Sequence, residues 1–363
     1  MPKKLPTLRS VAGLLLVLLL LLLLFTHTDI AADGVRRGLT LCLETLFPSL
    51  FPFLVLSELL ISQRAGEVLG RLLAHPARFL LGLSGGGAAA LLLGMLCGFP
   101  VGTTAAMGMY ERGEISREEL QRLFLFVNNP SPGFLIGAVG GRMLGSVGIG
   151  AVLWGLVWGT ALLIGIFLRV LYGATPQIAN IPLNGARNTP SVSQLTASVT
   201  KGFFTLLQVF AFVLFFSCVT ACLSPATATL PTAVGAAVTG LLEMTSGIGC
   251  AVSSLSARDA FRFIAFFSGF AGLSVCLQLF SVAENAHLRP LPYLLAKLVQ
   301  GALCLLCAEI YLHLFGPPPA PVQCVVTFAQ NRVQQHVLLV GLLLGFLCLV
   351  LAVWQQRKKA HSL

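Results

Sequence analysis

Charge is what this sequence has least of. Only 10% of its 363 residues are charged, where soluble proteins carry roughly 25%. Such a chain has too little charge to cover a water-facing surface, which excludes an ordinary soluble enzyme or binding module. The usual catalytic signatures are missing too. There is no phosphate-binding Walker loop, no His/Cys spacing for a metal, and no Ser–His–Asp set in polar context. The six histidines are scattered, mostly near helix ends, so no enzyme activity, metal or cofactor is expected. Gly85, Gly86 and Gly87 could suggest a phosphate cradle, but the Lys-Ser/Thr that completes one does not follow them. Close helix packing explains the three glycines better.

What the chain has instead is apolar sequence. Hydrophobic residues make up 56% of it, and the mean hydropathy is +0.89. Several stretches reach the ~20 residues a helix needs to span a bilayer. The expected fold class is therefore an all-α polytopic membrane protein. The net charge of +10 then points to topology, not to nucleic acid. Its basic residues sit in short loops and in the two tails (Lys3, Lys4, Arg9, Arg64, Arg71, Arg78, Arg357, Lys358, Lys359) without interleaved aromatics. Ten cysteines do not make a disulfide framework, because most lie inside apolar runs, where free cysteine acts as a small hydrophobe. Cys304 and Cys307 have CxxC spacing with no histidine or second pair nearby, and read as helix packing.

Loop charges trace a path through the membrane. Residues 1–34 have a basic start and an apolar run, which fits either a cleaved signal peptide or a retained signal-anchor helix; the anchor is the expectation. A helix over Thr40–Ile61 leads to "SQRAGEVLGRLLAHPAR", a basic loop expected inside. The stretch Phe79–Met109 joins it to a second inside loop, "YERGEISREELQR". Its 31 residues are short for two spans of ~20 each but suit a re-entrant hairpin with its tip at "CGFPVG", Cys97–Gly102. Spans follow at Leu123–Gly140 and Ser146–Leu171, and the hydrophilic residues 172–200 form a cytoplasmic linker. Gly202–Leu223, a second hairpin at Thr232–Leu255, Arg262–Ser281 and Pro292–Leu314 come next. Residues 316–363 add a loop, a helix at His336–Trp354 and a basic tail. The expectation is about eight transmembrane helices plus two re-entrant hairpins.

The second half repeats the first. "ISREELQRLFLFVNN" (Ile115–Asn129) aligns with "LSARDAFRFIAFFSG" (Leu255–Gly269) at a shift of 140 positions. Ser116 meets Ser256, Glu119 meets Asp259, Arg122 meets Arg262, and Asn128 meets Ser268. The loop charges orient the halves oppositely, so residues 35–171 and 201–315 are expected as an inverted repeat.

Each half places helix-breakers in apolar surroundings: "NNPSPG" and "SGFAGLS" within helices, "CGFPVG" and "EMTSGIG" at hairpin tips. Proline inside a helix costs about 3 kcal/mol. Non-helical backbone at membrane depth survives only where protein buries it or a wet cavity accepts its hydrogen bonds. Paired breaks in inverted repeats are a recurrent plan of secondary transporters, with helix N-termini aiming amides at an anionic ligand. The candidate substrate-binding residues are Gly98, Pro100 and Gly102 at the first tip and Asn128, Asn129 and Ser131 at the first break. Glu243, Thr245 and Ser246 at the second tip and Ser268, Gly272, Ser274 and Gln278 at the second break complete the set. Among the acidic residues in apolar sequence (Glu44, Glu58, Glu243, Glu309), Glu243 is favoured for a ligand or coupling-ion contact, since an intramembrane carboxylate needs a cavity or a partner. Lys297 is either an internal counter-charge or a side chain snorkelling to the headgroups.

At these residues the sequence resembles the membrane proteins that carry a nucleoside-recognition, or Gate, domain. It is most similar to that family's sporulation integral membrane proteins of spore-forming bacteria. The pieces that match are "FPSLFPFLVLSELL", "CGFPVG", "REELQRLFLFVNNPSPGFLIGAVG", "GLLEMTSGIG" and "FSGFAGLSVCLQLFS" followed by "YLLAKLVQGAL". They cover most of Leu39–Leu305, in order. One departure is visible: the family often has a small polar residue before its Asn-Pro, where this chain reads "VNNPSPG", which leaves the contact of each asparagine open. The resemblance implies kinship with concentrative nucleoside transporters and with the gate region of ferrous-iron permeases. It also implies a role in endospore formation, in the cell membrane or the membrane around the forespore, moving dipicolinic acid from mother cell toward forespore. The expected partners are that small anion and the lipid bilayer, with a homo-oligomer or other sporulation membrane proteins as further candidates. A nucleoside or ion permease and a non-transporting scaffold stay open as alternatives.

Overall fold

The computed structural model describes residues 8–62, 65–174 and 192–318. Every regular element among them is helical. With its apolar helices long enough to cross a bilayer, the chain is an all-α polytopic membrane protein. Helices α1 (Leu8–Thr26) and α2 (Thr28–Ser62) come first. A bent arm follows, α3 (Ala65–Leu81) and α4 (Gly85–Cys97), with α5 (Val101–Glu111) returning beside α4. Then come α6 (Arg117–Phe124), the π-helical α7 (Gly133–Met143) and the long α8 (Val147–Tyr172). The second half has α9 (Val192–Thr227), a hairpin of α10 (Thr232–Leu242) and α11 (Met244–Ser254), and the consecutive α12 (Ala257–Phe270) and α13 (Gly272–Val282). Helix α14 (Pro290–Phe315) closes the described chain.

Five of these are long and apolar enough to span a membrane: α2, α8, α9, the joined α12–α13, and α14. A pair within α3–α4, bent by 93°, would make a sixth. Of the about eight expected spans, the one at Leu123–Gly140 is interrupted. Helix α6 stops at Phe124, residues 125–131 are irregular, and winding resumes at Pro132, continuing from Gly133 as a π-helix. Pro130 and Pro132 lack the donors a continuous helix needs there.

Three other boundaries differ from expectation. Helix α2 starts at Thr28, not Thr40, because Gly34 and Gly38 bring it against Ser217, Cys218 and Ala221 of α9, a small-residue helix contact of the kind membranes favour. Residues 65–78, expected as part of a basic loop, lie in helix α3, which runs on to Leu81. Helix α9 begins at Val192, inside the expected linker. The rest of that linker, residues 175–191, and the span at His336–Trp354 lie outside the described residues.

Helix α14 shows the solvent the fold is built for. Leu295, Leu306 and Ile310 are more than half exposed, while Lys297, Gln300 and Cys304 are fully buried. Apolar side chains outside and polar ones inside suit lipid, where a polar group needs an internal partner.

The two aligned segments carry the same device. Ser116 Oγ accepts the Glu119 N–H at 3.1 Å, and Ser256 Oγ accepts the Asp259 N–H at 3.2 Å. Each caps a helix start, a contact that contributes about 1 kcal/mol. They sit toward opposite ends of α14. Arg262 donates to Glu309 at 2.9 Å near its C-terminus, whereas the Phe124 ring lies 4.8 Å from that of Tyr293 near its N-terminus. The stretch from 293 to 309 spans about 24 Å of helix.

Candidate functional site

The first hairpin tip is tied to the first break. Gly98 has φ +77°, and a Cβ there would come within 2.5 Å of the Ser131 amide nitrogen, so only glycine fits. Beyond it Phe99 donates its N–H to the Asn129 carbonyl at 3.0 Å, and the Phe99–Pro100 peptide is cis. Gly102 packs against the Val127 carbonyl.

The break's own side chains take over the hydrogen bonds that helix would have made. Asn128 Nδ2 donates to the Phe124 carbonyl at 3.1 Å, and Asn129 Nδ2 donates to that of Phe126 at 2.7 Å. Thr103 Oγ1 donates to Asn128 Oδ1 at 2.6 Å, and Ser131 Oγ accepts the Phe134 N–H at 3.1 Å, restarting the chain into α7. These asparagines act first as replacements for lost backbone partners.

What remains at the break is acceptor-rich, and an ammonium fills it. Lys297 is fully buried. Its Nζ donates to the Asn128 carbonyl at 2.8 Å, to Gln300 Oε1 at 2.7 Å and to Asn129 Oδ1 at 3.3 Å. Gln300 Nε2 completes the cluster, donating to Asn129 Oδ1 at 2.6 Å and to the Val157 carbonyl at 3.1 Å. All three of the lysine's acceptors are neutral. Of the two readings the sequence allowed, the structure gives the internal one. Glu309, on the same helix, is engaged by Arg262 instead.

The second half is built from donors. Glu243 sits between α10 and α11 with extended backbone, and is 1% exposed. Its carboxylate accepts the N–H groups of Thr245 at 2.9 Å and Ser246 at 2.6 Å. The amides expected to await a ligand at this helix start are thus taken by the protein's own anion. At the second break Ala271 and Gly272 both have positive φ, +73° and +75°. Gly272 lies close to the Gly240 carbonyl and the Met244 amide nitrogen, either of which would be 3.1 Å from an added Cβ. The Ser268 hydroxyl is buried and has no hydrogen-bond partner among the described residues.

All four breaks converge on one small cavity. Phe99, Pro130 and Ser131 line it from the first half, and Glu243, Thr245, Ser274 and Gln278 from the second. Its volume is about 30 Å³, room for one or two waters and too little for an organic anion. Gln278 Nε2 is buried here without a hydrogen-bond partner among the described residues. Of the candidate residues, Ser131, Glu243, Thr245, Ser274 and Gln278 line the cavity. Gly98, Pro100, Gly102, Asn128, Asn129, Ser268 and Gly272 shape the backbone or pack behind it, and Ser246 turns toward Ser217, its hydroxyl 3.4 Å away. Lys297, Gln300 and Thr103 were not among the candidates. A signal for two of them was present: a lysine and a glutamine three apart in "LLAKLVQGAL" share one face of an apolar helix.

The fold and site define a polytopic helical membrane protein in which interrupted helices meet around a small central cavity. The chain is 27% identical over 328 residues to the sporulation integral membrane protein YlbJ of Bacillus subtilis (strain 168), across 81% of this chain and 79% of that protein. No model of a known protein family matches it, and no solved structure does.

Proposed function

We propose that the chain is a secondary transporter of a small organic anion that acts in endospore formation. Dipicolinate is the substrate implied by the Gate-family resemblance, moved from mother cell toward forespore by alternating access. The name of the Bacillus relative supports the sporulation setting. The observation that carries the transport reading is the convergence of four helix breaks on one central cavity, with a buried ammonium at the first of them. Broken helices are how such proteins present backbone dipoles and side-chain donors to a substrate at the membrane midplane. A cavity of about 30 Å³ then belongs to a closed conformation that must widen for each transport cycle. The reading involves no chemical change to the substrate.

The test is dipicolinate uptake into proteoliposomes by the wild type, Asn128→Ala and Glu243→Ala. Uptake by the wild type and a strong loss in both variants are expected. Unchanged flux in both variants would overturn the site, and no wild-type uptake would overturn the substrate. Competition by nucleosides or metal ions would shift the reading to a permease of the wider family. Spores lacking the protein but holding normal dipicolinate would favour a scaffold.

A further inference from the structure

A second and larger cavity, of about 520 Å³, lies at the α14 end that faces the first charged segment. Its size falls within the range of small-molecule sites. Arg122, Arg289, Glu118 and Tyr172 line it, and Phe124 is at its inner wall. Two guanidinium groups against one carboxylate leave it net positive. Arg122 is a fixed cation. Its terminal nitrogens donate to the carbonyls of Gly173 at 2.7 Å, Leu81 at 2.9 Å and Gly82 at 3.3 Å. Its Nε is buried without a hydrogen-bond partner among the described residues. Arg289 is exposed and forms no ion pair with any described residue. A guanidinium so placed suits two-point binding of a carboxylate.

Behind this cavity stands an aromatic plug. The Phe124 ring lies 5.4 Å from that of Phe280 and 4.8 Å from that of Tyr293, and Phe280 and Tyr293 are 5.5 Å apart. Tyr293 is fully buried. One turn further along the same face of α14, about 6 Å of rise, comes Lys297. Cavity, plug and buried cation thus lie in sequence along one helix.

We propose that the cavity between Arg122 and Arg289 is the vestibule where a small carboxylate anion is first bound, and that the Phe124–Phe280–Tyr293 plug separates it from Lys297. The proposal rests on the transport reading for its destination, but binding in the vestibule can be measured without transport.

The experiment uses the full chain in proteoliposomes of neutral lipid, with Tyr172→Cys as a reporter, since this residue is 71% exposed at the rim. Maleimide labelling at position 172 is timed with and without dipicolinate, and with a nucleoside as the uncharged control. Dipicolinate is expected to slow labelling several-fold, the nucleoside to leave it unchanged, and Arg289→Glu to abolish the protection. In uptake, Arg289→Glu is expected to raise KM about tenfold, the loss of roughly one charge-assisted contact, with the maximal rate unchanged and Arg289→Lys intermediate. Labelling indifferent to dipicolinate, or slowed equally in Arg289→Glu, overturns the vestibule even if the wild type transports. Protection given by added phosphatidylglycerol but not by dipicolinate overturns it too, assigning the cavity to a lipid headgroup. Protection without uptake would leave the vestibule standing and overturn the transport reading.

Discussion

At the first break the buried charge is an ammonium, and at the second hairpin it is a carboxylate. Lys297 reaches the first break from the continuous helix α14, whereas Glu243 is itself the tip of the second hairpin, and each is met by dipoles of the opposite kind. Lys297 takes a backbone carbonyl and two amide oxygens; Glu243 takes two backbone N–H groups. The difference follows from how each segment is interrupted. A helix broken by prolines keeps its carbonyls and loses donors, so it gathers acceptors and suits a cation. A helix start exposes N–H groups, so it suits an anion. Related plans with different breakers therefore produce sites of opposite sign.

The boldest way to break this comparison is to show that the halves are not inverted. Arg112→Cys and Arg258→Cys are expected to react with a membrane-impermeant maleimide from opposite sides of the membrane. Labelling of both from one side would remove the geometric basis for pairing the breaks at all.

Next in size is Lys297→Met. It keeps much of the side chain's bulk but leaves the Asn128 carbonyl and Gln300 Oε1 without a donor, while Asn129 Oδ1 keeps the Gln300 Nε2 bond. Unsatisfied buried polar groups cost about 1–3 kcal/mol each, so a loss of about 3 kcal/mol is expected in detergent unfolding, together with loss of anion uptake. Full stability in this variant would mean that the cluster repacks without its ion, and that the ammonium is not what the break is built around.

Glu243 gives the smaller counterpart. Glu243→Ala removes both acceptors from the start of α11 and is expected to cost about 2 kcal/mol, the upper range for a lost helix cap. Glu243→Gln keeps one acceptor oxygen and is expected to cost about half as much. If both variants lose the same stability, the negative charge matters more than the hydrogen bonds, and the donor-rich description of this half is incomplete.

The positions of the breaks were legible in the sequence because proline and glycine carry local signals: "NNPSPG", "CGFPVG" and "SGFAGLS" all mark true interruptions. The spans at Ser146–Leu171 and Pro292–Leu314 were legible from apolar length, and each matches a helix to within two residues at either end. What the breaks bind was not legible. Lys297 meets Asn128 and Asn129 across more than 160 positions of chain, and nothing local to "LLAKLVQ" names those partners. Glu243 read as ligand-facing because its neighbours are apolar. Its engagement by Thr245 and Ser246 is local, but it depends on the extended backbone at 243, which no propensity specifies. Helix α3 was missed because its charged and proline residues look like a loop, and α9 extends into the linker without an apolar signal at its start.

The finest test compares the two matched caps. Ser116 and Ser256 accept equivalent N–H groups at nearly equal distances, so a cap acting alone would lose about 1 kcal/mol in either serine-to-alanine variant. Their surroundings differ. Glu119, three residues after Ser116, is fully buried and accepts the Ser84 N–H at 2.6 Å, fastening α6 to the start of α4. Asp259, three residues after Ser256, accepts from Ser256 Oγ at 2.7 Å and pairs with Arg262, both in an exposed setting, where such contacts contribute little. Ser116→Ala should therefore cost more than Ser256→Ala, by about 0.5 kcal/mol, because loosening the first cap also loosens the carboxylate that holds the hairpin. Equal losses would show that Glu119 is held by its burial alone, and that the two halves differ at their breaks but not at their capped ends.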